Sequence, residues 1–254
     1  MSEFSVSALV VIAILGAAWI GGTVRTKLPE HHLSDETKDM VKVGIGFLAT
    51  LAAMVLGLLV ASAKSSYDTK VEEVQQVAAK LILLDSNLRE LGTQAEPIRR
   101  RLRQVLAERI LPLWDRGQLD FTTTSPTAPS SRAMDDLVRM LRAMTPSGEV
   151  QTYARNRAME LSEQLTQTRW LLVEQSGRTI PMPFLVVLVF WLAAIAASLT
   201  LFAPRNGTLV VISIICALSF GSAIFLILEM DQPYTGLIRI SDVPLRNALT
   251  FLDR

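Results

Sequence analysis

VKVGIGFLATLAAMVLGLLVASA, residues 41–63, passes directly into KSSYDTKVEEVQQVAAKLILLDSNLREL, residues 64–91, with no Pro or Gly at the junction. Residues 43–63 carry no charge over about 20 positions, the length an α-helix needs to cross a hydrocarbon layer of roughly 30 Å. From Lys64 the character changes. Val74, Val77, Leu81, Leu84, Leu88 and Leu91 recur at steps of three and four, the spacing of a packed helix seam, and charged residues fill the other faces. Because nothing at the junction breaks a helix, the stretch is expected to form one rod that begins in a membrane and ends in water.

Composition agrees. Half of the 254 residues are hydrophobic (50%) and the mean hydropathy is +0.35, too apolar for a water-soluble domain. Three further charge-free stretches, residues 4–20, 184–202 and 208–228, bring the expected spans to four. The first ends at Trp19, suited to an interfacial belt, and at Gly21-Gly22; Ala13, Ala17 and Gly21 form one small-residue face. It carries Glu3 and no Lys or Arg ahead of it, so it reads as a retained span rather than a cleaved leader. The link APRNG, residues 203–207, folds the last two spans into a hairpin. The chain therefore divides into residues 1–63 (spans one and two with a connector), 64–180 (a water-exposed helical bundle), 181–228 (spans three and four) and 229–254 (a tail).

Within the connector, Ser34 before Asp35 and Glu36 is expected to cap a short interfacial helix. His31 and His32 are adjacent and so cannot share a helix face; they read as a solvated loop. In the bundle, Gly92 sits where a C-cap glycine belongs, and Pro97 starts a helix with Ile98, Leu102, Val105, Leu106, Ile110 and Leu113 on one side. The basic run Arg99, Arg100, Arg101 and Arg103 reads as a solvated face rather than a lipid-headgroup contact. DFTTTSPTAPSSR, residues 120–132, reads as a mobile loop. A short helix follows over 134–144, then one capped by Thr145 and Pro146 that continues through Tyr153, Leu161, Leu165 and Leu172 to the membrane.

Chemistry is sparse. A net charge of +1 with no clustered basic surface excludes a nucleic-acid partner. The single cysteine, Cys216, lies inside a span, and there is no Cys or His spacing for a metal. No phosphate-cradling Gly loop or Ser/His catalytic frame occurs, so an enzyme is not expected, nor a bound cofactor. No charged residue lies mid-span, which disfavours a proton-coupled pump. Glu229 and Asp231, at the exit of the fourth span, are candidates for a cation site, or else for helix-end capping or pairing with Lys64 or Arg239.

Two segments carry a resemblance. GLLVASAKSSYD, residues 57–68, and LEMDQPYTGLIRISDVPLRNALTFL, residues 228–252, are similar to the bestrophin-like family of membrane proteins, in which a span ends on an acidic residue and continues as Asp-x-Pro-aromatic-x-Gly and Ser-x-x-Pro-Leu. Here these positions are Asp231, Pro233, Tyr234, Gly236, Ser241, Pro244 and Leu245. Pro233 and Gly236 would stop the fourth span, and a short amphipathic helix from Pro244, with Leu245, Leu249 and Leu252 inward, would pack on the stalk where it leaves the bilayer. The resemblance implies an all-α membrane protein and a homo-oligomer, usually of five subunits, whose second spans surround an ion pathway. Bestrophins conduct anions, and some bacterial relatives prefer cations. The acidic cluster through which animal bestrophins bind calcium has no counterpart here.

On the second span, Ala49, Ala53, Gly57 and Ala61 form a small-residue face, and Phe47, Leu51, Met54 and Leu58, taken as the opposite face, are the pore-lining candidates. Lipid or a neighbouring span is the alternative environment for them. An even number of spans puts the bundle and both termini on one side. Lys and Arg near the span ends tie, with Lys64, Lys70, Arg169, Arg178 and Arg239 against Arg25, Lys27, Lys38, Lys42 and Arg205, so the cytoplasmic side of a bacterial inner membrane is implied by the family alone. Two functions follow: an oligomeric ion channel, or a membrane-anchored scaffold or sensor that docks partners along the 74–91 seam and moves no ion.

Overall fold

The computed structural model describes residues 3–29, 34–111, 114, 129–174, 182–203, 206–231, 234 and 236–253. His31, His32, Leu113, Arg178, Arg205 and Pro233 lie outside them, as does the Ser/Thr/Pro-rich segment up to residue 128. The described chain is helical, with α1 (Glu3–Arg25), α2 (Asp35–Glu90), a 3₁₀ turn (Gly92–Ala95), α3 (Glu96–Val105) running into a π turn (Leu106–Ile110), α4 (Pro129–Ala143), α5 (Glu149–Glu174), α6 (Met182–Phe202), α7 (Gly207–Asp231) and α8 (Val243–Leu252). The chain is an all-α membrane protein in which α1, α2, α6 and α7 are each long and apolar enough to cross a membrane.

α2 is one helix of 56 residues, about 84 Å at 1.5 Å per residue. Ser34 caps it, its Oγ accepting the Thr37 amide at 3.3 Å. No separate interfacial helix intervenes, because the capped turn continues directly into the span. Gly92, at φ +71°, ends the rod in a conformation that costs only glycine nothing.

The chain forms two compact units. The first comprises Met1–Ser66 and Thr179–Asp231. Here α1 packs against α6 and α7, burying Ser7, Val10, Ile14, Ala18 and Gly21 rather than the Ala13/Ala17 face. Gly21 and Gly22 do not end the helix, which continues to Arg25. In a span, glycine is a place where backbones approach: a Cβ on Gly21 would stand 2.1 Å from the Ala197 carbonyl oxygen. Thr200 uses that proximity, its Oγ1 donating to the Ala18 carbonyl at 2.7 Å.

The second unit comprises Tyr67–Arg178 and Gln232–Arg254. Its core joins Val74, Ala78, Leu81, Leu84 and Leu88 of α2, and Leu91 just beyond it, to Ile98 and Leu102 of α3, Leu137 and Leu141 of α4, Ala154, Ala158, Leu161 and Leu165 of α5, and Leu245, Ala248 and Leu252 of α8. Ala78 is buried beside Val77, which packs half-buried against the same core, and Tyr153 of α5 points outward. The seam is thus covered by helices of the same chain and offers no free docking surface. α4 starts at Pro129, so residues 129–132 are helical, proline fitting a first turn whose amide has no acceptor. α5 is set by Gly148 at φ +91° and by the Gln151 side chain accepting the Ser147 amide at 2.8 Å, not by Thr145 and Pro146.

One buried charge lies in this core. Asp85 is 2% exposed and accepts from Arg99 Nε at 2.7 Å and Nη2 at 3.2 Å, and from Arg89 Nε at 2.9 Å. The Asp85 hydrogen bonds raise the Arg99 guanidinium above its ordinary value against the opposing effect of burial, so Arg99 keeps its charge into strong alkali. Arg99 therefore belongs to the interior, while Arg101 of the same run remains at the surface.

Two sets of substitutions test this packing. Gly21→Ala is expected to cost about 1–3 kcal/mol by overpacking, and Thr200→Val about 0.6 kcal/mol for the interhelical bond, whereas Gly22→Ala is tolerated, its added carbon meeting nothing within 4 Å. Thermal unfolding in detergent ranks the three. In the bundle, Arg99→Ala strands most of the Asp85 charge and is expected to cost about 3 kcal/mol, against less than about 1 kcal/mol for Arg89→Ala, whose side chain is 43% exposed; equal losses would contradict the arrangement.

Candidate functional site

The apolar half of α2 differs from the other spans in how little of it its own chain covers. Of its most apolar 18-residue window 11% is buried, against 28% in α1 and 22% in α6 and α7. Ala52, Leu59 and Ala63 turn inward. At about 100° per residue they share an arc of roughly 40°, and Phe47, Met54 and Leu58 share another, centred about 140° away. These three are 69%, 64% and 60% exposed, and Leu51, on the flank of their arc, is half-buried.

The small residues Ala49, Ala53, Gly57 and Ala61 are exposed too. They do not oppose the bulky set: their four-residue spacing drifts about 40° per step, so Ala61 ends within roughly 20° of Met54. The bulky set lies on the side of α2 turned away from the inward arc, and the small residues run from the flank of that arc towards it, so a close-packing surface adjoins a bulky apolar one. Ahead of them, Lys38 pairs with Asp35 at 2.9 Å and Lys42 with Asp39 at 2.8 Å. The hydrogen bond and charge of Lys38 hold Asp35 below its usual range, and Asp39 raises Lys42 in the same way. Both pairs lie at the surface, so they contribute little to stability.

Glu229 and Asp231 occupy the last turn of α7, 3% and 6% exposed, and neither residue is without a partner. Among the described residues no group of three His, Cys, Asp or Glu side chains could hold a metal ion.

Beyond Asp231 the motif residues seat the tail. Tyr234 meets Trp114 edge-on, ring centroids 5.7 Å apart at 84°, and Trp114 Nε1 donates to the Ile240 carbonyl at 3.0 Å. Arg239 Nε donates to the Gly236 carbonyl at 2.7 Å, the Tyr67 hydroxyl donates to the Arg239 carbonyl at 3.5 Å, and the Ser241 hydroxyl accepts the Val243 amide at 3.3 Å. Pro244 sits in the first turn of α8. That helix packs further out than the start of the bundle, Arg89 donating to the Phe251 carbonyl at 2.7 Å. The tail thus follows α2 from Tyr67 to Arg89, about 33 Å at 1.5 Å per residue. Sequence reasoning missed Trp114 as its anchor, because its partner Ile240 lies 126 residues away.

Burial, with a smaller contribution from the Glu73 charge, pushes the Tyr234 phenol well above its ordinary value. A raised folded-state value gives stability that is full below the unfolded value and falls as pH rises past it, so unfolding in detergent should grow easier above about pH 10. Tyr234→Phe should flatten that alkaline slope while leaving neutral stability within about 1 kcal/mol; an unchanged slope would remove Tyr234 as its source.

Comparison with known proteins agrees with this architecture. The profile of the Bestrophin-like domain matches residues 12–245. A crystal structure of a bacterial bestrophin homologue from Klebsiella pneumoniae, carrying a Trp-to-Ala substitution, aligns over 100% of this chain and 99% of its own, with 14% identity and a TM-score of 0.64. A Tyr-to-Ala form of the Klebsiella pneumoniae homologue aligns over 95% and 99%, with 12% identity and a TM-score of 0.60. A membrane protein with a Pro-to-Ala substitution aligns over 100% of both chains, with 13% identity and a TM-score of 0.58. No curated protein matches significantly. With the family pattern spanning residues 12–245 and the bestrophin fold reproduced along the whole chain, this protein belongs to the bestrophin-like family.

Proposed function

We propose that the chain is one subunit of a homo-oligomeric ion channel, with the apolar half of α2 facing the ion pathway. The observation that carries this reading is the outward arc of Phe47, Met54 and Leu58, with Leu51 beside it. These large apolar side chains sit on the side of a span that its own chain leaves uncovered. In a ring of subunits the neighbouring Ala49, Ala53, Gly57 and Ala61 would let helices approach closely. The bulky arc would then narrow the central path into an apolar constriction that gates by dewetting. Five subunits is the number implied by the family. The bundle and both termini would lie together, on the cytoplasmic side of a bacterial inner membrane, and ions rather than a chemical substrate would be the cargo. The burial of Glu229 and Asp231 at the end of α7, neither of them without a partner, favours a structural role over a free cation site. The scaffold or sensor reading has less support, since the seam it would use is filled by the chain's own helices.

Flux from liposomes containing the purified protein, under separate chloride, sodium and potassium gradients, tests the proposal. Leu58→Ser and Leu51→Ser, which make the constriction easier to wet, should raise flux by about tenfold, equivalent to 1.4 kcal/mol off the barrier. Absence of flux in every gradient, from protein shown to be folded and oligomeric, would contradict it.

A further inference from the structure

A cavity of about 580 Å³ lies in the membrane unit at one end of α1, lined among others by Trp19, Gly22 and Thr23 of α1, Thr200 of α6, and Asn206 and Val210 at the start of α7. Its volume falls within the range of about 300–1,000 Å³ typical of small-ligand sites. We propose that it holds the acyl chain of a membrane phospholipid, with phosphate or ester oxygens of the headgroup at Asn206 and Arg25.

The chemistry of the wall is that of an amphiphile site. Two of its three hydroxyls are already committed, Thr200 donating to the Ala18 carbonyl and Thr23 to the Ile20 carbonyl at 2.8 Å, and Ser213 supplies the third, so the sides present mostly carbon. Asn206 is different. Its Oδ1 accepts the Leu209 amide at 2.9 Å, which fixes the side-chain amide and turns its NH₂ donors away from the helix. Arg25 lies one turn beyond Gly22 on the same face of α1, and its Nη1 is shielded from water with no hydrogen-bond partner among the described residues. Donors and a positive charge at one end, and carbon along the rest, match the acceptor oxygens and tail of a phospholipid.

Position supports the same occupant. Trp19, 72% exposed, marks the headgroup level at which its amphipathic ring is favoured. The glycine pair explains why there is space: Gly21 is used up by contact with Ala197, while a Cβ on Gly22 meets nothing within 4 Å. The cavity is independent of α2 and of whether the protein conducts.

Photocrosslinking tests this. The full-length protein is reconstituted with a trace phospholipid bearing a diazirine on its acyl chain, and labelled peptides are mapped by mass spectrometry. Labelling should concentrate at Trp19, Thr23, Leu209 and Val210. Gly22→Phe, which fills the cavity, should suppress it. Asn206→Asp, which keeps the Leu209 cap but replaces a donor with an acceptor, should reduce it by about fivefold, the loss of one net hydrogen bond. Equal labelling in wild type and both variants would mean ordinary annular lipid and overturn the proposal. Shielding of these residues by a second copy, seen as crosslinks between subunits at Trp19 in place of lipid labelling, would overturn it as well.

Discussion

One uninterrupted ladder of backbone hydrogen bonds, from Asp35 to Glu90, contributes residues to both compact units of the chain. In hydrocarbon the ladder is compulsory, because an unsatisfied amide or carbonyl costs several kcal/mol. In water it is optional, and a 3.6-residue turn survives there only if one stripe of it is buried. The sequence of α2 meets both demands in succession. Its residues 43–63 are uncharged all round and contribute Ala52, Leu59 and Ala63 to one core; from Lys64 it is charged except for the stripe that contributes Leu81, Leu84 and Leu88 to the other.

The bundle depends further on an interaction that apolar packing does not supply. Asp85 sits among leucines, where an isolated carboxylate would be expelled or neutralised. Two hydrogen bonds from Arg99 and one from Arg89 satisfy its oxygens. They also fix how α3 registers on α2, since a slip of one residue would pull the guanidinium away. The tail adds a second register mark, Trp114 reaching the Ile240 carbonyl. The family motif that follows the last span thus acts as an anchor for the tail, and conduction would be carried elsewhere in the chain.

Much of this was legible in one dimension. Four spans show as charge-free runs, and the rod, its seam and its glycine stop at Gly92 show as spacing and punctuation. What failed to show has a common cause: its meaning depends on a distant partner. Gly21-Gly22 looks like a helix end until Ala197 is beside it, and Asp85 looks like a solvated charge until Arg99, 14 residues on, turns back over it. Small local signals were misread for a related reason. Thr145-Pro146 is a plausible cap, but Gly148 can adopt a positive φ and so decides where α5 begins. For the candidate pathway, the bulky and small residues were identifiable, while their angular relation was not, because a four-residue repeat drifts around a helix that turns every 3.6.

The central claim is that the outward arc of α2 meets water in the assembled protein. Cys216 is the only cysteine, so Cys216→Ala provides a background for single cysteines along residues 43–63 and reaction with a charged, membrane-impermeant thiol reagent. The account predicts a helical pattern in proteoliposomes, with fast modification at Phe47, Leu51, Met54 and Leu58 that changes ion flux, and none at Ala52, Leu59 or Ala63. Uniform protection of the outward arc, with the protein folded and oligomeric, would place those residues in lipid or against a neighbour and contradict it.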